Sequence, residues 1–206
     1  MERFMTLTAV AAPYDPVNVD TDQILPARFL KMPRGQGKHY GGFLFHDVRY
    51  ADDGSSSGDF VLDQPAYRAA RIFVGNSNFA CGSSREGAVY AFYDAGFRAV
   101  VAPSFSDIFF NNCLKNGIVP VRLAEAICRD LRASLAATPG TELTIDLERQ
   151  ELRTPDGAVH GFAVDGFFRE MLLKGVDEIG LTLDLVPEIE RFERAYAAES
   201  GDVPSG

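Results

Sequence analysis

The chain has 206 residues, 46% of them hydrophobic, with a formal net charge of -9. That apolar share can fill a sizeable core without disulfides or a structural metal, and the length favours a single domain. The acidic balance excludes nucleic acid as a partner, because phosphate binding needs clustered Lys and Arg to displace counterions.

In chain order, 31–42 carries four glycines and a proline, and 51–59 is rich in Asp, Ser and Gly. Both are predicted to be mobile loops. The run Arg71-Ile72-Phe73-Val74-Gly75 predicts a buried strand. A helix follows over about 84–95, with Ala88, Ala91, Phe92 and Ala95 at helical spacing and Gly96 as its stop. A second buried strand is predicted over 99–102, a helix over 106–116 ending at Gly117, and a third strand over 118–121. An amphipathic helix over 123–135 is stopped by Pro139-Gly140. Leu143, Ile145 and Leu147 then alternate with polar residues, the pattern of a half-buried strand, and Asp156-Gly157 marks a hairpin turn. Helices are predicted over 167–174, closed by Gly175, and over 187–198. The single domain is expected to span 1–198, with 199–206 as a frayed tail. Strand–helix units followed by hairpins make an α/β domain that is not a plain doubly wound sheet.

No apolar run approaches the ~20 residues of a membrane span, and the first ten residues lack the features of a secretory signal. A cytoplasmic protein with no membrane partner is expected. Cys81, Cys113 and Cys128 are odd in number and widely spaced, which argues against both a disulfide framework and a metal site in this chain.

The segment richest in chemistry is Asn76-Ser77-Asn78-Phe79-Ala80-Cys81-Gly82-Ser83-Ser84-Arg85-Glu86, between a predicted strand and a predicted helix. A helix start leaves backbone N–H groups unpaired and carries partial positive charge, so it suits a carboxylate. Arg85 adds a cation with a two-pronged grip. Gly82 is expected to give an approaching ligand room. Ser83 or Ser84 could equally be helix caps with Glu86 in support, and the pattern alone leaves both accounts open. His39, His46 and His160 fall outside any recognisable hydrolase arrangement.

The run 78–86 resembles the active-site signature of the small-subunit family of 3-isopropylmalate dehydratase (isopropylmalate isomerase), within the aconitase superfamily. Asn18-Val19-Asp20-Thr21-Asp22-Gln23-Ile24-Leu25-Pro26 is similar to the family's N-terminal signature. The stretches 102–109 and 111–117, and Asp177-Glu178-Ile179-Gly180-Leu181-Thr182-Leu183, are similar to later ones. The resemblance runs from about Val17 to Phe192. It implies a swivelling β/β/α three-layer domain, like the mobile last domain of aconitase. It also implies a large partner subunit carrying a [4Fe–4S] cluster, with no cofactor bound by this chain. The implied reaction moves a hydroxyl between neighbouring carbons of a small diacid through an unsaturated intermediate. Ser83 matches the family's base, and Ser84 and Arg85 match residues that bind substrate carboxylate. Asp20, Thr21 and Asp22 match a segment at the substrate pocket, where an Asx turn is an equal alternative. Phe29, Leu30, Lys31 and Met32 match the substrate-selecting loop.

One position departs from the family pattern. Where the family usually has His after this signature, the chain has Gly87. Two other readings therefore stay beside isopropylmalate isomerisation. One is a related hydro-lyase subunit for a citraconate- or methylmalate-type diacid. The other is a non-catalytic binding or assembly protein that has kept the fold.

Overall fold

The computed structural model describes residues 1–35, 39–51, 53–56, 58–82, 85–184, 186, 191–194 and 196, with 182–184 as backbone alone. Ser83 and Ser84 lie outside these residues, as do 36–38, 52 and 57 of the two loops expected to be mobile. Of the helix expected over 187–198, residues 191–194 and 196 are described, and they are helical. The tail over 199–206 lies wholly outside.

Among the described residues seven strands form one mixed sheet. They are β1 (Thr6–Pro13), β2 (Ile72–Val74), β3 (Ala99–Ala102), β4 (Val119–Arg122), β5 (Glu142–Asp146), β6 (Glu151–Arg153) and β7 (Val159–Gly161). Their order across the sheet is β4-β3-β2-β1-β5-β6-β7. The half from β4 to β1 is parallel and the half from β1 to β7 antiparallel, so β1 is the seam. Its first part, Thr6 to Val10, pairs with β5, and Ala11 to Pro13 pair with β2.

This seam explains why β1 is not evident in the sequence. Its first residues alternate exposed and buried, as a half-covered antiparallel strand does. Its last three are all buried, as in a parallel strand covered on both faces. The change of pattern within eight residues matches neither template throughout.

Two apolar cores lie on the sheet's two faces. Phe73, Val100 and Ala102 point into one, and Ile72, Val74, Ala99 and Val101 into the other. The first is packed with aromatics from α3 (Gly87–Asp94), α4 (Asp107–Lys115) and the crossover between β1 and β2, which carries the short helices α1 (Thr21–Ile24) and α2 (His46–Arg49). Phe45, Phe73, Phe79 and Phe92 are fully buried there. The second is covered by α5 (Glu125–Ala137) and α6 (Gly166–Lys174). From α5, Arg132 is buried; its guanidinium donates to the Gly75 carbonyl at 3.0 Å and to Asp15 at 2.8 Å. It therefore fixes the end of β2, from which the segment 76–86 departs.

The predicted strands after residue 70, the hairpin at Asp156-Gly157 and the glycine stops are all present. Gly96, Gly117 and Gly175 follow their helices at positive φ. A further helix, α7 (Glu178–Asp184), covers most of the stretch 177–183. Among the described residues no helix is long and apolar enough to cross a membrane.

Candidate active site

Three segments meet beyond the C-terminal ends of the parallel strands, where open α/β sheets bind their ligands. They follow β1, β2 and β3. The middle one is laced to both neighbours. On one side Asn18 donates to the Ser77 carbonyl at 3.0 Å, Cys81 to Val19 at 2.9 Å and Thr21 to Cys81 at 3.0 Å, all through backbone N–H groups. On the other, Phe79 N–H donates to the Ser104 carbonyl at 2.9 Å, and Ser106 N–H returns a bond to Phe79 at 3.1 Å. The Asn78 side chain donates to the Asn18 side-chain oxygen at 2.9 Å. Asn18, Asn78 and Ala80 hold φ of 55° or 56°. For Ala80, fully buried, that conformation costs about 1–2 kcal/mol, which the ladders on both sides must offset.

The Asp20-Thr21-Asp22 turn is the start of α1 (Thr21–Ile24). Asp20 closes a capping box: its carboxylate accepts from the Asp22 N–H at 2.6 Å, and its own N–H donates to Gln23 Oε1 at 3.1 Å. The local turn expected as one alternative is thus present, and it sits against residue 81. Gly82 has φ of +89°, and a Cβ there would collide with the Asp20 carboxylate. The room it makes is taken by Asp20, which differs from the expectation of space for a ligand.

Arg85 is half-exposed, and its guanidinium pairs with the Asp22 carboxylate. Two separate sequence motifs therefore meet at this ion pair. The helix begins later than the sequence predicts. Glu86 is the N-cap of α3, in helical conformation and without a side-chain cap bond. Arg85 accordingly precedes the helix instead of standing in its first turn. The Glu86 carboxylate accepts from the Asn116 amide at 2.7 Å, and the Tyr90 hydroxyl, raised first by burial, is raised further by its bond to Glu86. Nothing in the sequence signals this Glu86–Asn116 contact, because α4 brings its partner from 30 residues away.

The expected selecting loop forms a 3-10 turn, Ala27–Lys31. Its four residues divide by environment. The Phe29 ring stacks on Phe43 with centroids 4.2 Å apart, and Leu30 packs on the aromatic core. Lys31 and Met32 are exposed. Further along, Arg34 donates to Asp94 at 2.8 and 3.0 Å, and Tyr40 N–H donates to the same carboxylate at 2.9 Å. A Cβ at Gly41 would lie 2.7 Å from the Asp94 carbonyl and the Ala95 nitrogen. The described part of this stretch is therefore tied to the far end of α3.

An iron–sulfur cluster does not fit the thiols of this chain. Cys113 is buried in one core and Cys128 in the other. Burial pushes the Cys113 thiol well up and that of Cys128 to about 11, whereas a ligand must be a thiolate. Cys81 is turned to the Asn18 carbonyl at 3.3 Å. Among the described residues no three His, Cys, Asp or Glu side chains are grouped to hold a metal ion.

Such a sheet, with its loops gathered at one end, is the architecture of the aconitase C-terminal domain, whose family model matches residues 1–126. A second model, LeuD_N, matches 129–166. A 3-isopropylmalate dehydratase small subunit of Rhodopseudomonas palustris is 46% identical over 97% of this chain and 98% of its own length. That of Gluconacetobacter diazotrophicus is 49% identical over 94% and 92%. The chain belongs to the family of 3-isopropylmalate dehydratase small subunits. The fold is shared with a solved 3-isopropylmalate dehydratase chain of Methanocaldococcus jannaschii, at a TM-score of 0.61 and 23% identity, over 91% of this chain and 99% of that one.

Proposed function

We propose that this chain is the small subunit of a cytoplasmic two-chain hydro-lyase that interconverts 2-isopropylmalate and 3-isopropylmalate through isopropylmaleate, in leucine biosynthesis. The observation that carries the reading is the meeting of Arg85 with the Asp20-Thr21-Asp22 turn at the ends of the parallel strands. Near-full-length similarity to proteins named as small subunits supports it and supports a large partner subunit.

The reaction needs two things of its protein. Hydroxide leaves a carbon poorly, so a Lewis acid has to take it; we assign that role to a [4Fe–4S] cluster on the large subunit. A proton must also leave the carbon beside a carboxylate, which requires a positioned base. In our reading Ser83 is that base. Its alkoxide is costly near neutral pH, so it needs positive potential nearby and a site closed to water. Arg85 contributes the charge, and with Ser84 it holds a substrate carboxylate through charge-assisted hydrogen bonds. Asp22, now paired with Arg85, keeps the guanidinium at the mouth of the site until a substrate carboxylate takes its place. Asp20 and Thr21 hold the pocket wall. Met32 and Lys31, the exposed members of the loop that includes Phe29 and Leu30, face the alkyl branch.

Mixing the purified chain with its large subunit tests this. Neither alone should turn over 3-isopropylmalate, and the mixture should, with isopropylmaleate appearing as an ultraviolet-absorbing intermediate. An inactive mixture containing an intact cluster, or a small chain that itself purifies with iron and sulfide, would refute the reading. Gly87 favours a second reading, in which the substrate is a smaller methyl-bearing diacid of the citraconate or methylmalate type. Running both substrates on the same mixture separates the two.

A further inference from the structure

Gly87 is buried at the first position of α3, two residues beyond Arg85. It does not lie in the positive-φ region that favours glycine, so the backbone does not demand it. Space does. A Cβ at Gly87 would collide with Leu30 Cδ2 and lie 3.1 Å from Leu25 Cδ2. Leu30 therefore occupies the volume that any side chain at residue 87 would fill. Its own turn, Ala27–Lys31, precedes the exposed Met32, and Phe29 of the same turn is stacked on Phe43. The Tyr40 hydroxyl also donates to the Met32 carbonyl at 2.8 Å, so the far side of the loop is pinned, and the Leu30 contact is the one that seats it on the helix following Arg85.

We infer that Gly87 is a positioning residue for substrate selection: as the seat of Leu30, it sets how close Met32 stands to the alkyl branch of a diacid held by Arg85. This rests on the hydro-lyase reading above and deepens it. The glycine touches no substrate. It acts through Leu30, whose isobutyl group fixes the height of the loop over the site. Filling the notch drives Leu30 out and lifts the loop, while emptying it lets the loop sink or wander. Either change should weaken discrimination between branches that differ by a few carbons.

The test uses the reconstituted two-subunit enzyme with paired substrates, 3-isopropylmalate and a methyl-bearing analogue, comparing wild type, Gly87→Ala, Leu30→Ala and the double variant. Each methylene is worth roughly 10–200-fold in a fitted apolar pocket. Each single substitution should therefore shift the ratio of kcat/KM values by about tenfold or more, mostly through KM of the bulkier substrate. The double variant places a methyl where Leu30 was, so it should recover most of the lost ratio; a defect of folding alone would compound. Should Gly87→Ala fail to fold, Leu30→Ala and the double variant still decide, since the second must be the more selective. A ratio within about twofold of wild type in the single variants, or losses that multiply in the double variant, would overturn the role of Gly87 and leave the hydro-lyase reading standing. Wild-type enzyme inactive on both substrates would overturn both.

Discussion

Arg85 is held at the mouth of the site by Asp22, and both side chains are substantially exposed. An ion pair of that kind contributes at most about 1 kcal/mol to folding, so its removal should leave the chain folded. Under the proposed function its worth lies in the complex, where a substrate carboxylate buried beside it would have no water to turn to. Removing one member of a desolvated charge pair costs roughly 2–5 kcal/mol. Arg85→Ala should therefore lower kcat/KM of the reconstituted enzyme by at least about 30-fold with an unchanged circular dichroism spectrum. Arg85→Lys should fall between, because lysine keeps the charge and loses the planar fork. An Arg85→Ala enzyme of near wild-type efficiency would remove Arg85 from the substrate site. The nine-residue run ending at Glu86 is visible in the sequence as a pattern, and so is the glycine at 82. Which group fills the space at Gly82 is not, since Asp20 reaches it from more than 60 residues away.

At the scale of elements, α3 organises the site from both of its ends. Leu30 seats at its start, and Arg34, Tyr40 and Gly41 are fastened to Asp94 and Ala95 at its finish. Burial alone would raise the Asp94 carboxyl; the bonds from Arg34 and the Tyr40 N–H outweigh it and hold the group below its ordinary value. A carboxyl so depressed stabilises the fold above its unfolded value of about 4, and the benefit is lost as pH falls through the folded value. Asp94→Asn should lower stability at pH 7 by about 1.5–3 kcal/mol, the worth of hydrogen bonds to a charged group. It should also speed tryptic cleavage at Arg34. The gap between variant and wild type in thermal unfolding should close as pH drops below about 4. A gap constant from pH 7 to pH 3 would mean that the carboxylate charge is not what fastens the loop. The composition of 31–42 predicts none of this. Glycine-rich stretches read as loose, whereas Gly41 is small because a backbone passes beside it. The late start of α3 is equally hidden, as Glu86 is helical in conformation yet lies outside the helical span.

For the molecule as a whole, local apolar patterning locates β2 to β5, and the Asp156-Gly157 turn signal locates the β6–β7 hairpin. β1 keeps no single environment along its length, and its identity follows only from its neighbours. Its pairing joins Thr6 to Asp146 and Val10 to Glu142, so the middle of the sheet is closed by residues more than 130 positions apart. During synthesis the antiparallel half can form only after nearly three-quarters of the chain has left the ribosome. Until then Thr6 to Val10 offer a bare row of N–H and C=O groups, the kind of edge on which nascent chains stick to one another. A version ending at Ala137 should accordingly associate into large species in gel filtration, and adding 138–184 back, with β5 to β7 and the α6 cover of the second core, should restore the profile of the full-length protein.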